Sequence, residues 1–266
     1  MPSMVIDVHT HVFPAGSTEK IFSTLKERAH ISHYSDGTVG GLKDSMERAG
    51  IDISIISRIT TKPQQVDSVN RWLLEHCERN IFALATIHPH LEMPQDFIKK
   101  LRQKGFKGIK VHPDYQGFYV DDKQMYPYYE AAQTEKMPIL FHTGRDRGLP
   151  PPVRALPERI AKLLEDFPCL TIIAAHMGGE GNYDDTETLL LGSDIFLDTS
   201  FVLRFMPKTM FKRFIMKHSI ERLLFGSDSP WTEQKAELEY LYSLPFISQD
   251  GKEKIAGINA ARLFGL

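Results

Sequence analysis

Cysteine is scarce: Cys77 and Cys169 are the only two in 266 residues. Two lone thiols in so long a chain exclude a disulfide framework and suit a reducing, cytoplasmic setting. Long apolar runs are missing as well. None approaches the ~18 residues a membrane span needs, and the opening MPSMVIDVHTHVFP has neither the basic nor the apolar region of a signal peptide. An excess of charge of one sign is also absent. Lys and Arg number 32 against 34 Asp and Glu, a net charge of −2, and no basic tract or nucleic-acid motif stands out. The expectation is a soluble protein with neither nucleic acid nor membrane as a partner, and a homo-oligomer stays open.

What is present is apolar mass in a repeating arrangement. Runs rich in Ile, Val, Leu and Phe fall at residues 4–8, 53–57, 81–87, 108–112, 139–142, 170–175, 195–198 and 223–226. They lack polar alternation, which suits strands buried on both faces, as in parallel sheets. Between several of them the period becomes helical. Leu42, Met46 and Ala49 share a face, as do Val66, Val69, Leu73 and Cys77, then Ile160, Leu163, Leu164 and Phe167. Phe211, Phe214 and Ile215, and later Leu238, Leu241 and Tyr242, repeat the pattern. A series of eight such strands with helices between them predicts an α/β protein. The predicted fold is one (β/α)8 TIM-like barrel spanning residues 1–266, near the ~250 residues typical of that fold. The connections 13–41 and 143–153 are longer than their helices need. Both leave C-terminal strand ends, where barrel enzymes build their sites, and both are expected to cover the site.

Four strand ends carry unusual residues. The first runs into His9-Thr10-His11, the fifth ends in His142, the sixth is followed by His176, and the eighth runs into Gly226-Ser227-Asp228. A barrel gathers C-terminal strand ends at one mouth. Imidazoles with a carboxylate are a normal donor set for zinc or a similar ion. Residues i and i+2 of a strand point to one side, so His9 and His11 can grip one ion. Each piece alone has a plainer reading. A lone His is more often a hydrogen-bonded polar residue, and Asp228 could cap the next helix. All five falling at strand termini is what the plain readings do not explain.

The chain resembles the amidohydrolase superfamily, and within it the amidohydrolase-related branch of metal-dependent hydrolases and decarboxylases. The segments that carry the resemblance are IDVHTH (6–11), GIKVHP (108–113), LFHTG (140–144), AAHMGG (174–179), LFGSDSPW (224–231) and NAARLFG (259–265). They span nearly the whole chain and are specific to the superfamily, not to one activity. The resemblance implies a divalent ion, one zinc per chain, with a second ion or Mn or Fe left open. It implies His9, His11 and His142 as ligands, Asp228 as ligand or as base toward the metal's water, and His176 as a further ligand or, more usually, an acid/base. Some superfamily members carry a carboxylated lysine at the end of strand four. Lys110 lies on that strand, but His112 and Pro113 end it, so Lys110 and His112 read as substrate-binding or structural groups.

The activity expected from the resemblance is hydrolysis of an amide, lactone or related bond in a small carboxylated molecule, through a metal-activated water. The alternative is a non-oxidative decarboxylase using the same ion and His176. A catalytically silent binding barrel is the third reading, which an intact ligand set disfavours. Arg58, Arg145, Arg147 and Arg204 follow strand ends, and a guanidinium fork suits the carboxylate of an anionic substrate. Tyr115, Phe118, Tyr119 and Trp231 are candidates for an aromatic wall, or for packing beneath the loops.

Overall fold

A computed structural model describes residues 4–266. Residues 1–3, which open both the segment without a signal-peptide pattern and the 1–266 domain, lie outside the described residues. The chain forms eight strands: β1 (Ile6–His11), β2 (Ile53–Ser57), β3 (Ile81–Thr86), β4 (Gly108–Val111), β5 (Ile139–Phe141), β6 (Ile172–Ala174), β7 (Phe196–Asp198) and β8 (Leu223–Leu224). They pair in sequence order, each parallel to the next. The seam between β8 and β1 is closed by backbone bonds. Val8 N–H donates to Phe225 O at 3.0 Å, and Asp228 N–H donates to His9 O at 2.9 Å.

The strands separate two apolar layers. Ile6, Val8, Ile53, Ile55, Leu84, Leu140, Ile173 and Leu224 fill the barrel interior. Ile56, Ala85, Ile109, Val111, Phe141, Ala174, Leu197 and Phe225 point outward into the shell of helices. Alternation with period two explains the split. The C-terminal helix Asn259–Phe264 adds Ala260 and Phe264 to the interior cluster. Asn259 Nδ2 donates to Ile220 O at 2.7 Å and Leu223 O at 2.8 Å, so the NAARLFG tail closes one end of the barrel.

The first strand differs from its expected span. Predicted at 4–8, it runs to His11 and carries a bulge, with Asp7 opposite Ser54 but Thr10 opposite Ile56. Strict alternation after Ile6 and Val8 would turn Thr10 inward. The extra residue re-aims the strand, so that His9 and His11 face the mouth instead. The helices Thr18–Ala29, Pro94–Gln103 and Tyr126–Thr134 were not among the predicted ones. Cys77 and Cys169 are free thiols. No helix among the described residues is long and apolar enough to cross a membrane.

Candidate metal centre and substrate pocket

The mouth of the barrel holds a cavity of about 660 Å³. His9, His11, Lys110, His112, His142, His176 and Asp228 line it, with Arg58 and Trp231. His9 stands at the centre of the floor. Its Nδ1 lies 2.8 Å from Asp198 Oδ2, and its Nε2 lies 2.9 Å from Lys110 Nζ and 3.4 Å from Asp228 Oδ1. Asp228 Oδ1 also sits 3.0 Å from His11 Nε2. Gly226 makes room for this packing, because a Cβ there would fall 2.9 Å from the Cβ of His9.

Asp228 adopts a left-handed backbone with φ of 70°, a conformation Asp tolerates better than most residues. It caps no helix, since the next one begins at Gln234 after Glu233. Beneath it Asp7 accepts bonds from His9 N–H, Ser227 N–H and the Gln234 side chain at 2.8–3.1 Å. Burial pushes the Asp7 carboxyl up to about 6, against these hydrogen bonds.

On the far side of the floor His176 Nε2 lies 2.9 Å from His142 Nδ1, and His176 Nδ1 lies 3.0 Å from Ser200 Oγ. The His142 ring stacks on His112 with centroids 3.9 Å apart. His112 Nε2 lies 3.1 Å from Asp146 Oδ2. His142 is 93% buried, yet its Nε2 has no hydrogen-bond partner.

The electrostatics follow from burial. Desolvation lowers His9 to about 4, helped by the Lys110 charge and opposed by Asp198 and Asp228. Desolvation also lowers Lys110 to about 8, although Asp198 and Asp228 oppose it. His112 falls to about 4 and His142 falls well below the ordinary imidazole value, desolvation leading in both. Burial works to raise the Asp228 carboxyl, but His9, His11 and His176 overcome it and hold the group below the usual range. Asp198 follows the same balance, ending at about 2 through His9, His176 and Ser200.

These groups suit a divalent cation. One donor atom each from His9, His11 and Asp228 lies within 4.8 Å of the others. A neutral imidazole at His9 beside the ionised Asp228 carboxylate is what such an ion requires of its ligands. His142 does not fall in this trio and instead groups with His112 and Asp146.

The arginines divide. Arg58 lines the cavity, half-buried, 4.9 Å from the Trp72 ring and 5.9 Å from that of Phe13. Arg145 does not line it. Its N–H is bonded to Glu180 O at 2.8 Å, and its side chain is exposed beside Gly181. Its neighbour Arg147 takes the pocket side, paired with Glu180 at 2.6 Å. Arg204 is held at 2.7 Å by the buried Glu237. Of the candidate aromatic wall, Tyr115 and Trp231 line the cavity, whereas Phe118 is core and Tyr119 packs 4.2 Å under Arg159. The sequence reading missed Asp198, Ser200 and Asp146. Asp198 left a signal, as a charged residue ending the buried run 195–198.

The sequence profile described as amidohydrolase matches residues 6–266. The chain belongs to the amidohydrolase family. No curated relative matches the sequence. Solved structures share the fold of this amidohydrolase-family chain along their whole length. One is 5-carboxyvanillate decarboxylase from Sphingomonas paucimobilis, at 16% identity and TM-score 0.72, covering 99% of each chain. Another is 2,6-dihydroxybenzoate decarboxylase from Rhizobium, at 18% identity and TM-score 0.71, also covering 99% of each. A third, 5-carboxyvanillate decarboxylase from Novosphingobium aromaticivorans, was solved with manganese. Its identity is 15% and its TM-score 0.75, over 99% of this chain and 96% of that one. At these identities the likeness is one of fold.

Proposed function

We propose that the protein is a metal-dependent, non-oxidative decarboxylase, a carbon–carbon lyase acting on a small carboxylated aromatic substrate. The observation that carries the reading is a pocket lined by two chemically distinct sets of side chains. Its floor gathers His9, His11 and Asp228 as donors for a cation. In the same lining Arg58, with no acidic partner among the described residues, lies against two aromatic rings. The fold shared with the decarboxylases supports the same assignment. The sequence reading placed hydrolysis first, and these likenesses move the carbon–carbon lyase ahead of it.

One ion per chain, zinc or manganese, would be held by His9, His11 and Asp228, and the unpartnered Nε2 of His142 is a further donor. Such an ion supplies Lewis acidity toward a carboxylate or carbonyl oxygen. Arg58 binds the substrate's anionic group, while Tyr115 and Trp231 flank its ring. Lys110 and His112 contribute polar contacts at the floor. His176 delivers the proton that takes the carboxyl's place. The proton adds at the ring carbon bearing the carboxylate, the carbon–carbon bond breaks, its electron pair restores the ring, and CO2 leaves. A cytoplasmic setting remains part of this proposal.

Hydrolysis is kept as a second reading because of Asp228. An ionised, buried carboxylate is fit to take the proton of a water attacking an amide or lactone carbonyl. The test is to give metal-loaded protein a panel of hydroxybenzoates, carboxyvanillates, lactones and amides. CO2 release matching substrate loss, reduced at least ~10²-fold in Asp228→Asn, is the expected result. Hydrolysis products without CO2 would transfer the assignment to the hydrolase reading. Turnover of nothing in the panel would favour the silent binding barrel.

A further inference from the structure

We propose that the helix Thr18–Ala29 is a lid over this pocket, and that its Lys20 and Arg28 recognise the anionic group of the bound ligand. The proposal rests on the reading of the pocket as a site for a carboxylated molecule. The helix lies in the long connection after β1. Lys20, Ile21, Thr24, Leu25 and Arg28 all line the cavity. Their spacing of three and four residues puts them on one helical face.

The helix is lightly tethered. Among the described residues, no hydrogen bond or ion pair joins it to the barrel. The bonds of Thr18, Ser23 and Thr24 all stay within the same connection. Phe22 is its one buried side chain. That ring stacks on His33 with centroids 4.0 Å apart and meets Trp231 edge-on at 5.5 Å. It also presses on Gly37, where a Cβ would lie 2.6 Å from Phe22 Cζ and where φ is 73°. One buried side chain therefore latches a helix of 12 residues, with Ile21, Leu25 and Ala29 only half-buried beside it. Segments with few buried contacts and no cross-bonding open at the low end of a protein's range of local stabilities.

Lys20 and Arg28 are exposed in the pocket lining and, among the described residues, have no carboxylate partner. Their charge is the differential interaction that would let an anion favour the closed state over the open one. The latch and the pocket share a wall, because Trp231 touches Phe22 and lines the cavity. Seating of the helix and occupation of the pocket are therefore physically linked.

Amide hydrogen exchange on the full protein tests this without any need for turnover. The probes are benzoate, salicylate and isophthalate, with benzamide as the neutral control. In free protein, residues 18–29 should exchange at least ~10-fold faster than the barrel strands, and Phe22→Ala should speed them again while leaving the strands unchanged. At least one of the acids should slow exchange of the helix ~3-fold or more, benzamide should not, and Lys20→Gln plus Arg28→Gln should remove the effect. The proposal is overturned if the helix is as protected as the strands, or if Phe22→Ala leaves it unchanged. It is equally overturned if no acid protects the helix, if benzamide protects as well as the acids, or if the double variant keeps the effect. Protection by acids without CO2 release from any hydroxybenzoate would count against the decarboxylase reading alone.

Discussion

Replacing Asp198 with Asn separates what His9 does as a ring from what it does as a ligand. Asp198 is fully buried. One of its oxygens lies 2.8 Å from His9 Nδ1, and the other accepts the N–H groups of His176 and Ser200, each at 3.0 Å. The carboxylate thus keeps a proton on His9 Nδ1 and leaves Nε2 as an acceptor, 2.9 Å from Lys110 Nζ, with its lone pair available to a cation. Asn can keep the acceptor for the two backbone donors, but it then presents an NH2 group to Nδ1. Two donors would face each other, so the ring is driven to carry its proton on Nε2, where it no longer binds a cation. A hydrogen bond to a charged group contributes about 1.5–3 kcal/mol. Partners that orient a metal-binding histidine are worth roughly 10–100-fold in metal affinity. Asp198→Asn should therefore weaken manganese or zinc binding by ~10–100-fold, read by calorimetry or by competition with a chelator. Far-ultraviolet dichroism should stay that of the wild type. Affinity within about twofold of wild type, below the range such partners carry, would refute the tautomer argument.

Further outcomes are expected. Gly226→Ala would place its Cβ 2.9 Å from the His9 Cβ; overpacking of that kind costs about 1–3 kcal/mol, so both melting temperature and metal affinity should fall. Arg58→Ala should lower kcat/KM for carboxylated substrates by ~10–100-fold, the equivalent of a lost charge-assisted bond, and should change it little for neutral amide counterparts. Burial, opposed by Arg204, raises the Glu237 carboxyl from 4.5 to about 7. A raised carboxyl contributes stability that is complete below its unfolded value and lost as pH rises through the folded value. Urea titrations should therefore show wild type losing up to ~3 kcal/mol relative to Glu237→Gln between pH 4.5 and 7. A difference that does not change with pH would contradict the assignment.

How much of this was legible in the sequence depends on which physics each feature rests on. The barrel was legible because buried parallel strands show as unbroken Ile, Val and Leu runs, and β2 to β8 all lie within the predicted runs. The ligand candidates were legible because they end those runs. That His9 and His11 share one side was legible from their i, i+2 spacing, but the bulge that turns this side to the mouth was not, since it is set by pairing with β2. Arg145 and Arg147 looked alike by position. Only the bonding of the 144–145 backbone to Glu180 sends one to solvent and the other to the pocket. Arg204 looked free because its partner Glu237 lies 33 residues on, on the helix Gln234–Ser243. The helix over the mouth was legible only as excess length in 13–41, because its face toward the cavity mixes Lys, Thr and Arg with Ile and Leu and shows no clean apolar period.

The central claim is that His9, His11 and Asp228 hold a catalytic divalent ion. The most direct measurement is anomalous diffraction from crystals of the metal-loaded protein, collected on either side of the zinc and manganese absorption edges. One strong peak per chain is expected at the barrel mouth, with ~2.0–2.2 Å bonds to the two imidazoles and the carboxylate if the metal is zinc. No peak there, or an equal peak in crystals of a variant carrying His9→Ala and His11→Ala, would contradict it.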